Sequence, residues 1–181
     1  MAIKTELKVQ ERQRLSEDFV RGFEKRYIEA WNGHDLVRVL ALFTEDILYE
    51  DPLILPDGLA RGHEELRTAA QRWWSSMPDL KFATSDLFLS LDARKAAHAW
   101  TASGTMTGAM SPPGFAPTNK PIQMSGVTIW EFRGDRVAHL KENTDLYSVA
   151  RQVGALPEPG TANERIAVLL QKLEARHLRR S

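Results

Sequence analysis

The sequence predicts an α+β fold built on one core, and three observations lead there. Apolar residues recur at helical spacing through the N-terminal part, and from Leu80 the period changes toward two. Helices and strands come in separate runs rather than in alternation, which argues against a doubly wound α/β sheet. The 181 residues suffice for one core with an appended helix, and 43% hydrophobic with 27% charged residues is the composition of a chain that folds on its own.

Each element follows from local pattern. Ile3, Leu7, Leu15, Phe19, Phe23, Tyr27 and Trp31 recur at multiples of four, predicting a first helix that Asn32-Gly33 stops. Leu36, Val39, Leu40 and Phe43 mark a short second helix over 35–43. Residues 47–51 then read as a strand halted by Pro52. Residues 53–58 read as a loop, and 62–77 as a third helix with Glu64 and Glu65 in its first turn, where the helix dipole favours them. Four strands follow over 80–91, 95–107, 121–133 and 136–144. Asp92-Ala93-Arg94, residues 111–120 and Arg133-Gly134-Asp135 supply the reversals of an antiparallel meander. A helix over 146–153 closes at Gly154, and 157–160 link it to a last helix. Thr161 and Glu164 form a capping box for that helix, Ile166, Leu169, Leu170 and Leu173 its stripe, and the basic residues of 176–180 its solvated end. The expected organisation is a body over 1–156 and a linker with helical extension over 157–181. A curved sheet wrapped around helices encloses a pocket of the kind small ligands occupy.

Composition removes several chemistries. Lys+Arg and Asp+Glu both number 24, so the long-range positive field needed by nucleic acid or an anionic membrane is not expected. No apolar run is long enough to span a bilayer, and the first residues are polar where a secretory leader is apolar, so a cytoplasmic protein is expected. Without Cys there is no disulfide framework or thiol nucleophile, and His34, His63, His98, His139 and His177 are not at metal-ligand spacing, so no metal is expected. GxGxxG, the P-loop and GxSxG patterns are missing, and Ser103 to Gly108 lies inside a strand pattern, so no cofactor is expected either.

Acid/base chemistry by carboxylates in an apolar cavity remains, because desolvation makes a carboxylate a stronger base near neutral pH. Asp51 ends a strand beside a loop, where it reaches a cavity mouth or else caps the turn before Pro52. Glu142 shares a strand face with Leu140 and Ala138, which orients it inward unless it is a solvated charge near the strand end. Trp100, Met106, Met124 and Trp130 fall at strand spacing suited to lining an aromatic pocket or to plain core packing. His98, on the face of Trp100, is a pocket base or a satisfied structural histidine.

Four segments, Tyr-Ile-Glu-Ala-Trp-Asn-Gly-His-Asp-Leu (27–36), Leu-Phe-Thr-Glu-Asp-Ile-Leu-Tyr-Glu-Asp-Pro (42–52), Arg-Gly-His-Glu-Glu-Leu (61–66) and Asp-Leu-Tyr-Ser-Val-Ala-Arg-Gln-Val-Gly (145–154), resemble the nuclear transport factor 2-like superfamily. Within it the chain is most similar to SnoaL-like polyketide cyclases and, more distantly, to ketosteroid isomerases, over about residues 23–156. The resemblance implies a cone-shaped barrel, a curved antiparallel sheet around the N-terminal helices, and a homodimer through the outer sheet face. It also implies site residues. Tyr27 and Asp51 match the isomerases' oxyanion donor and general base, although Tyr27 also continues the core stripe of Phe19 and Phe23. Thr128 stands where the isomerases carry a protonated aspartate and the cyclases a histidine, and Glu142 where the cyclases carry their catalytic aspartate. Met106 replaces a histidine found in many relatives. The expected reaction is cofactor-independent proton abstraction next to a carbonyl in a hydrophobic polyketide-like or polycyclic substrate. Asp51 or Glu142 would move the proton, and Tyr27 with Thr128 would hold the oxyanion. Carboxylate-assisted epoxide opening and a non-catalytic binding module are the other readings.

Overall fold

The residues described by the computed structural model, 14–178, form five helices and a six-stranded, curved and unclosed sheet, the α+β cone expected. Ser16 opens α1 (Glu17–Asn32) by accepting from the Phe19 amide at 3.2 Å, and the stripe of Val20, Phe23, Tyr27 and Trp31 is buried. Ile3 and Leu7, read as the start of that stripe, and Arg179 and Arg180 of the basic tail lie outside the described residues. Asp35 caps α2 (Leu36–Ala41) through the Arg38 amide at 3.0 Å.

The first strand is longer than its pattern suggests: β1 spans Phe43–Glu50 rather than starting at Ile47, and α2 ends before Phe43. Phe43 pairs with Val137 and Leu48 with His139, and the register shifts between them. Thr44, Glu45 and Asp46 fall in that irregular stretch, which hides the strand from an alternation test. A three-residue strand, β2 (Leu59–Arg61), escaped notice and pairs with the end of β1. After α3 (Gly62–Ser76) come β3 (Lys81–Leu89), β4 (Lys95–Thr105), β5 (Pro121–Arg133) and β6 (Arg136–Thr144), an antiparallel meander. The spatial order is β2-β1-β6-β5-β4-β3. The β1–β6 pair is parallel, so the sheet is antiparallel everywhere but there.

Cross-strand register sets the inner face. His98 on β4 sits opposite Thr128 on β5, and Thr128 opposite Glu142 on β6. All three are buried, so one row of polar side chains crosses three strands inside the cone. Tyr49 on β1 faces the same interior, packed with the aromatic stripe of α1. The residues 51–58 between β1 and β2 form the loop expected, yet Leu53, Ile54 and Leu55 are all buried. Behind β6, α4 (Leu146–Gln152) is capped by Asp145, and α5 (Ala162–Leu178) starts at Thr161, whose Oγ1 accepts from the Glu164 amide at 3.2 Å. The return bond of that capping box goes one residue further back, from the Gly160 amide to Glu164 Oε2 at 2.6 Å. The α5 stripe of Ile166, Leu169, Leu170 and Leu173 is exposed.

The end of α1 is fastened to the edge strand by one side chain. Asn32 Nδ2 donates to the Phe82 carbonyl at 2.8 Å and Asn32 Oδ1 accepts from the Phe82 amide at 2.7 Å, so its amide behaves as an extra peptide of a neighbouring strand. Lys81 Nζ donates to the Asn32 carbonyl. Asn32→Ala is expected to lower stability to urea by about 1–3 kcal/mol, because two bonds go and two edge-strand groups lose their partner. Equilibrium unfolding followed by tryptophan fluorescence measures it.

Candidate active site

A cavity of about 10 Å³, room for about one water molecule, lies inside the cone. Its wall is aromatic: Tyr27 and Trp31 from α1, Tyr49 from β1, Trp73 from α3, Phe82 from β3 and Trp100 from β4. Glu142 from β6 is the one carboxylate on it. A much larger hollow, about 990 Å³, lies on the outer sheet face against α4, with Gln123, Tyr147 and Arg151 on its wall. Neither Asp51 nor Glu142 borders it.

Glu142 is 8% exposed and is held by both oxygens. Trp100 Nε1 donates to Oε1 at 2.9 Å and Thr128 Oγ1 donates to Oε2 at 2.8 Å. The same indole N–H is shared with Thr128 Oγ1 at 3.0 Å, and a hydrogen bond joins Tyr27 to Thr128. That contact lowers the Tyr27 pKa, the direction of a hydroxyl that donates to the phenol oxygen, so it does not use the Tyr27 proton. Burial holds the Glu142 carboxyl well above its ordinary value, and the nearby charge of Asp51 pushes the same way. The bonds from Thr128 and Trp100 pull back only partly.

Asp51 stands one layer further out. It is fully buried but does not line the cavity. Its Oδ1 accepts from the Leu53 amide at 2.9 Å and the Ile54 amide at 3.3 Å, which is the turn cap ahead of and across Pro52. Its Oδ2 accepts from the Tyr49 hydroxyl at 2.6 Å, and the Trp73 side chain adds a further bond. Burial raises its carboxyl above the usual value, and these four donors oppose the shift by favouring the ionised form. Asp51 thus reaches the cavity through Tyr49 and Trp73. The phenols of Tyr49 and Tyr27 are both held well above their ordinary value, first by burial and then by the two carboxylates, so each stays protonated as a donor.

Of the residues the sequence singled out, Tyr27, Trp100 and Glu142 border one cavity, with Thr128 directly behind Glu142. The others do not line it. Met106 and Trp130 are packed in the core, and Met124 borders the outer hollow. His98 lies beneath Tyr27, stacked on Trp130 with ring centres 4.5 Å apart. The Thr84 hydroxyl gives its proton to Glu24 at 2.5 Å, so it accepts from His98 Nδ1 at 3.2 Å, leaving His98 Nε2 as a bare, unpartnered acceptor. Burial lowers the His98 pKa to about 4, so the ring is neutral. Tyr49, Trp31, Trp73 and Phe82 were not picked out from sequence as site residues. Tyr49 had a readable signal, since it lies two residues before Asp51 in the strand pattern of 47–51, which places both on one face.

The Trp100–Glu142 bond depends on a glycine. A Cβ on Gly126 would fall 2.5 Å from the Asn143 carbonyl oxygen and closer still to the six-membered ring of Trp100, so the indole can lie across β5 only because no side chain is there. No group of three or more His, Cys, Asp or Glu side chains placed to hold a metal ion occurs among the described residues.

A family model described as SnoaL-like polyketide cyclase matches residues 23–153. Among solved structures, TsrD from Streptomyces laurentii is similar at 24% identity and a TM-score of 0.67, over 78% of this chain and 99% of that one. AclR from Streptomyces galilaeus, titled a putative hydroxylase, is similar at 20% identity and 0.67, over 90% and 98% of the two chains. IdmH from Streptomyces antibioticus, titled a putative polyketide cyclase, is similar at 20% identity and 0.62, over 74% and 97%. At these identities the likeness is one of fold. No curated protein matches.

Gly126→Ala is expected to push the Trp100 indole off Glu142 and to cost about 1–3 kcal/mol through overpacking. Loss of the Trp100 indole N–H signal from its bonded position in a nitrogen-15 correlation spectrum, together with a lower urea midpoint, checks both effects.

Proposed function

The chain belongs to the SnoaL-like polyketide cyclase family, and from that premise we propose a cofactor-independent acid/base enzyme that removes a proton next to a carbonyl of a hydrophobic, polyketide-like substrate. One observation carries the reading: Glu142 is a buried carboxylate with raised proton affinity, oriented by two donors and bordering an aromatic cavity. Such a group is a far better base near neutral pH than a solvated carboxylate.

In the proposed step, ionised Glu142 takes the α-proton and the electron pair of the broken C–H bond passes into the carbonyl, giving an enolate. Reprotonation by Glu142 at another carbon completes an isomerisation. Attack of the enolate carbon on a second carbonyl of the same molecule closes a ring, and Glu142 then returns the proton to the new alkoxide. Thr128 and Trp100 position the carboxylate, since their protons are spent on it or on each other. Asp51 acts at one remove, keeping Tyr49 and Trp73 in place and raising the proton affinity of Glu142 by its charge. The aromatic wall excludes water, which strengthens these electrostatic effects.

The test does not need the natural substrate. Incubated in deuterium oxide with a small ketone such as cyclohexanone, the protein is expected to speed exchange of the α-hydrogens, read by proton NMR. Glu142→Gln should lower that rate by about 10²- to 10⁴-fold while the chain stays folded. The rate should rise with pH as Glu142 loses its proton, with a midpoint above the ordinary carboxylate value of 4.5. Asp51→Asn removes a neighbouring negative charge, so it should move that midpoint to lower pH. Saturable ketone binding without exchange would replace the enzyme by a binding module, and exchange unchanged in Glu142→Gln would remove Glu142 as the base.

A further inference from the structure

The donors around the cavity can be counted one by one. Tyr49 gives its proton to Asp51, and Trp73 also bonds Asp51. Tyr27 keeps its phenol O–H, since Thr128 bonds its oxygen, and among the indoles Trp100 gives its N–H to Glu142 and Thr128. Phe82 has none to give. Of the three indoles on the wall that leaves Trp31, whose N–H is buried and has no hydrogen-bond partner. Its ring neighbours are Tyr27 at 6.0 Å, Trp74 at 5.7 Å and Phe82 at 6.2 Å between centres, a surrounding of aromatic walls. The indoles of Trp74 and Trp130 are also unpartnered, but neither borders the cavity.

A buried donor left without an acceptor costs the desolvation of that group, and a native fold tolerates it most readily where a ligand supplies the acceptor. The cavity beside Trp31 has room for one water-sized group, which is also the size of a carbonyl oxygen. We infer that the Trp31 indole N–H is the donor that receives the substrate's carbonyl oxygen and stabilises it as an enolate forms. The inference rests on the acid/base reading of Glu142 and adds the specificity element that reading lacks. The substrate must present an unhindered ketone or aldehyde oxygen to an aromatic wall whose other indole N–H groups are already committed. As Glu142 takes the α-proton, negative charge grows on that oxygen and the indole bond strengthens, while the indole proton stays on nitrogen. A donor fixed by ring packing pays little reorganisation when the charge appears.

Nitrogen-15 labelling of tryptophan in the full chain tests this directly. The chain has five Trp. The Trp31 indole signal is identified by its loss in Trp31→Phe or by proximity to the Phe82 ring in the unaltered chain. Cyclohexanone is titrated against methylenecyclohexane, which has nearly the same shape but no acceptor oxygen. The ketone is expected to move the Trp31 indole proton downfield saturably, and the hydrocarbon to leave it in place. Trp31→Phe should bind the ketone about fivefold to tenfold more weakly, the loss of one hydrogen bond. The same shift with both probes, or no saturable shift with the ketone, overturns the inference. The deuterium exchange assay separates the two claims. Exchange with an unmoved Trp31 signal removes Trp31 and leaves Glu142 as base. A shifted Trp31 signal without exchange leaves a ketone-binding site and removes the reaction.

Discussion

Keeping two carboxylates inside one apolar cone is the constraint on which the rest of the interior depends. An ionised carboxylate out of water is stable only if hydrogen-bond donors replace its hydration, and two of them close together raise each other's proton affinity. The protein answers with unequal shares. Asp51 receives four donors, two of them backbone amides of its own turn, and Glu142 receives three, Thr128, Trp100 and the Asn143 backbone. The better-supplied group is the one set back from the cavity, and the less-supplied one borders it. That asymmetry suits the proposed roles: the carboxylate with more donors is the weaker base of the two and fixes its neighbours, whereas the one with fewer donors and a charged neighbour keeps the greater appetite for protons.

The sheet geometry follows from the need to deliver those donors. Thr128 reaches Glu142 because antiparallel register places them directly opposite across β5 and β6. Trp100 comes from β4, one strand further away, so its indole has to cross β5, which only a glycine at 126 permits. Tyr49 and Asp51 are two residues apart at the end of β1, where the loop turns back and buries Leu53, Ile54 and Leu55. Fastening the end of α1 to β3 through Asn32 keeps Tyr27 and Trp31, on the same helix, against the cavity. Packing and chemistry use the same side chains.

Much of this was legible in the sequence. The change of period at Leu80, the turn residues and the four matching segments carry the fold, and the α5 boundary follows from its Thr161 cap. The Asp51 motif and the inward face of Glu142 were readable too, because each rests on a local pattern. Depth along the cone was not. Alternation says that His98, Trp100, Met106, Met124 and Trp130 face one side of a strand. How far along the axis each comes to rest depends on curvature, which is set where register shifts, between Thr84 and Asp86 on β3 and between Glu131 and Phe132 on β5. Trp31 falls on the apolar stripe of the first helix and Trp73 within the span read as the third. Their place on the cavity wall depends on how α1 and α3 dock on the sheet, a long-range property that no window of sequence contains.

The same interior also sets opposing pH responses. His98 is buried as a neutral base with its pKa lowered to about 4, so the unfolded chain binds more protons than the folded one between that value and the ordinary 6.5. Stability contributed by its neutrality is therefore present above 6.5 and is lost as pH falls toward 4. Glu142 works in the other sense. Its folded affinity for the proton is raised above the ordinary 4.5, so the folded chain holds a proton that the unfolded chain has released, and stability is lost as pH rises through the raised value. Ionising Glu142 for the proposed proton abstraction would thus draw on folding free energy, while His98, neutral over the same range, adds no second buried charge beneath Tyr27. A positive ring there would stabilise the Glu142 anion and weaken it as a base. The one buried histidine among the described residues is therefore compatible with the proposed chemistry because its burial keeps it uncharged.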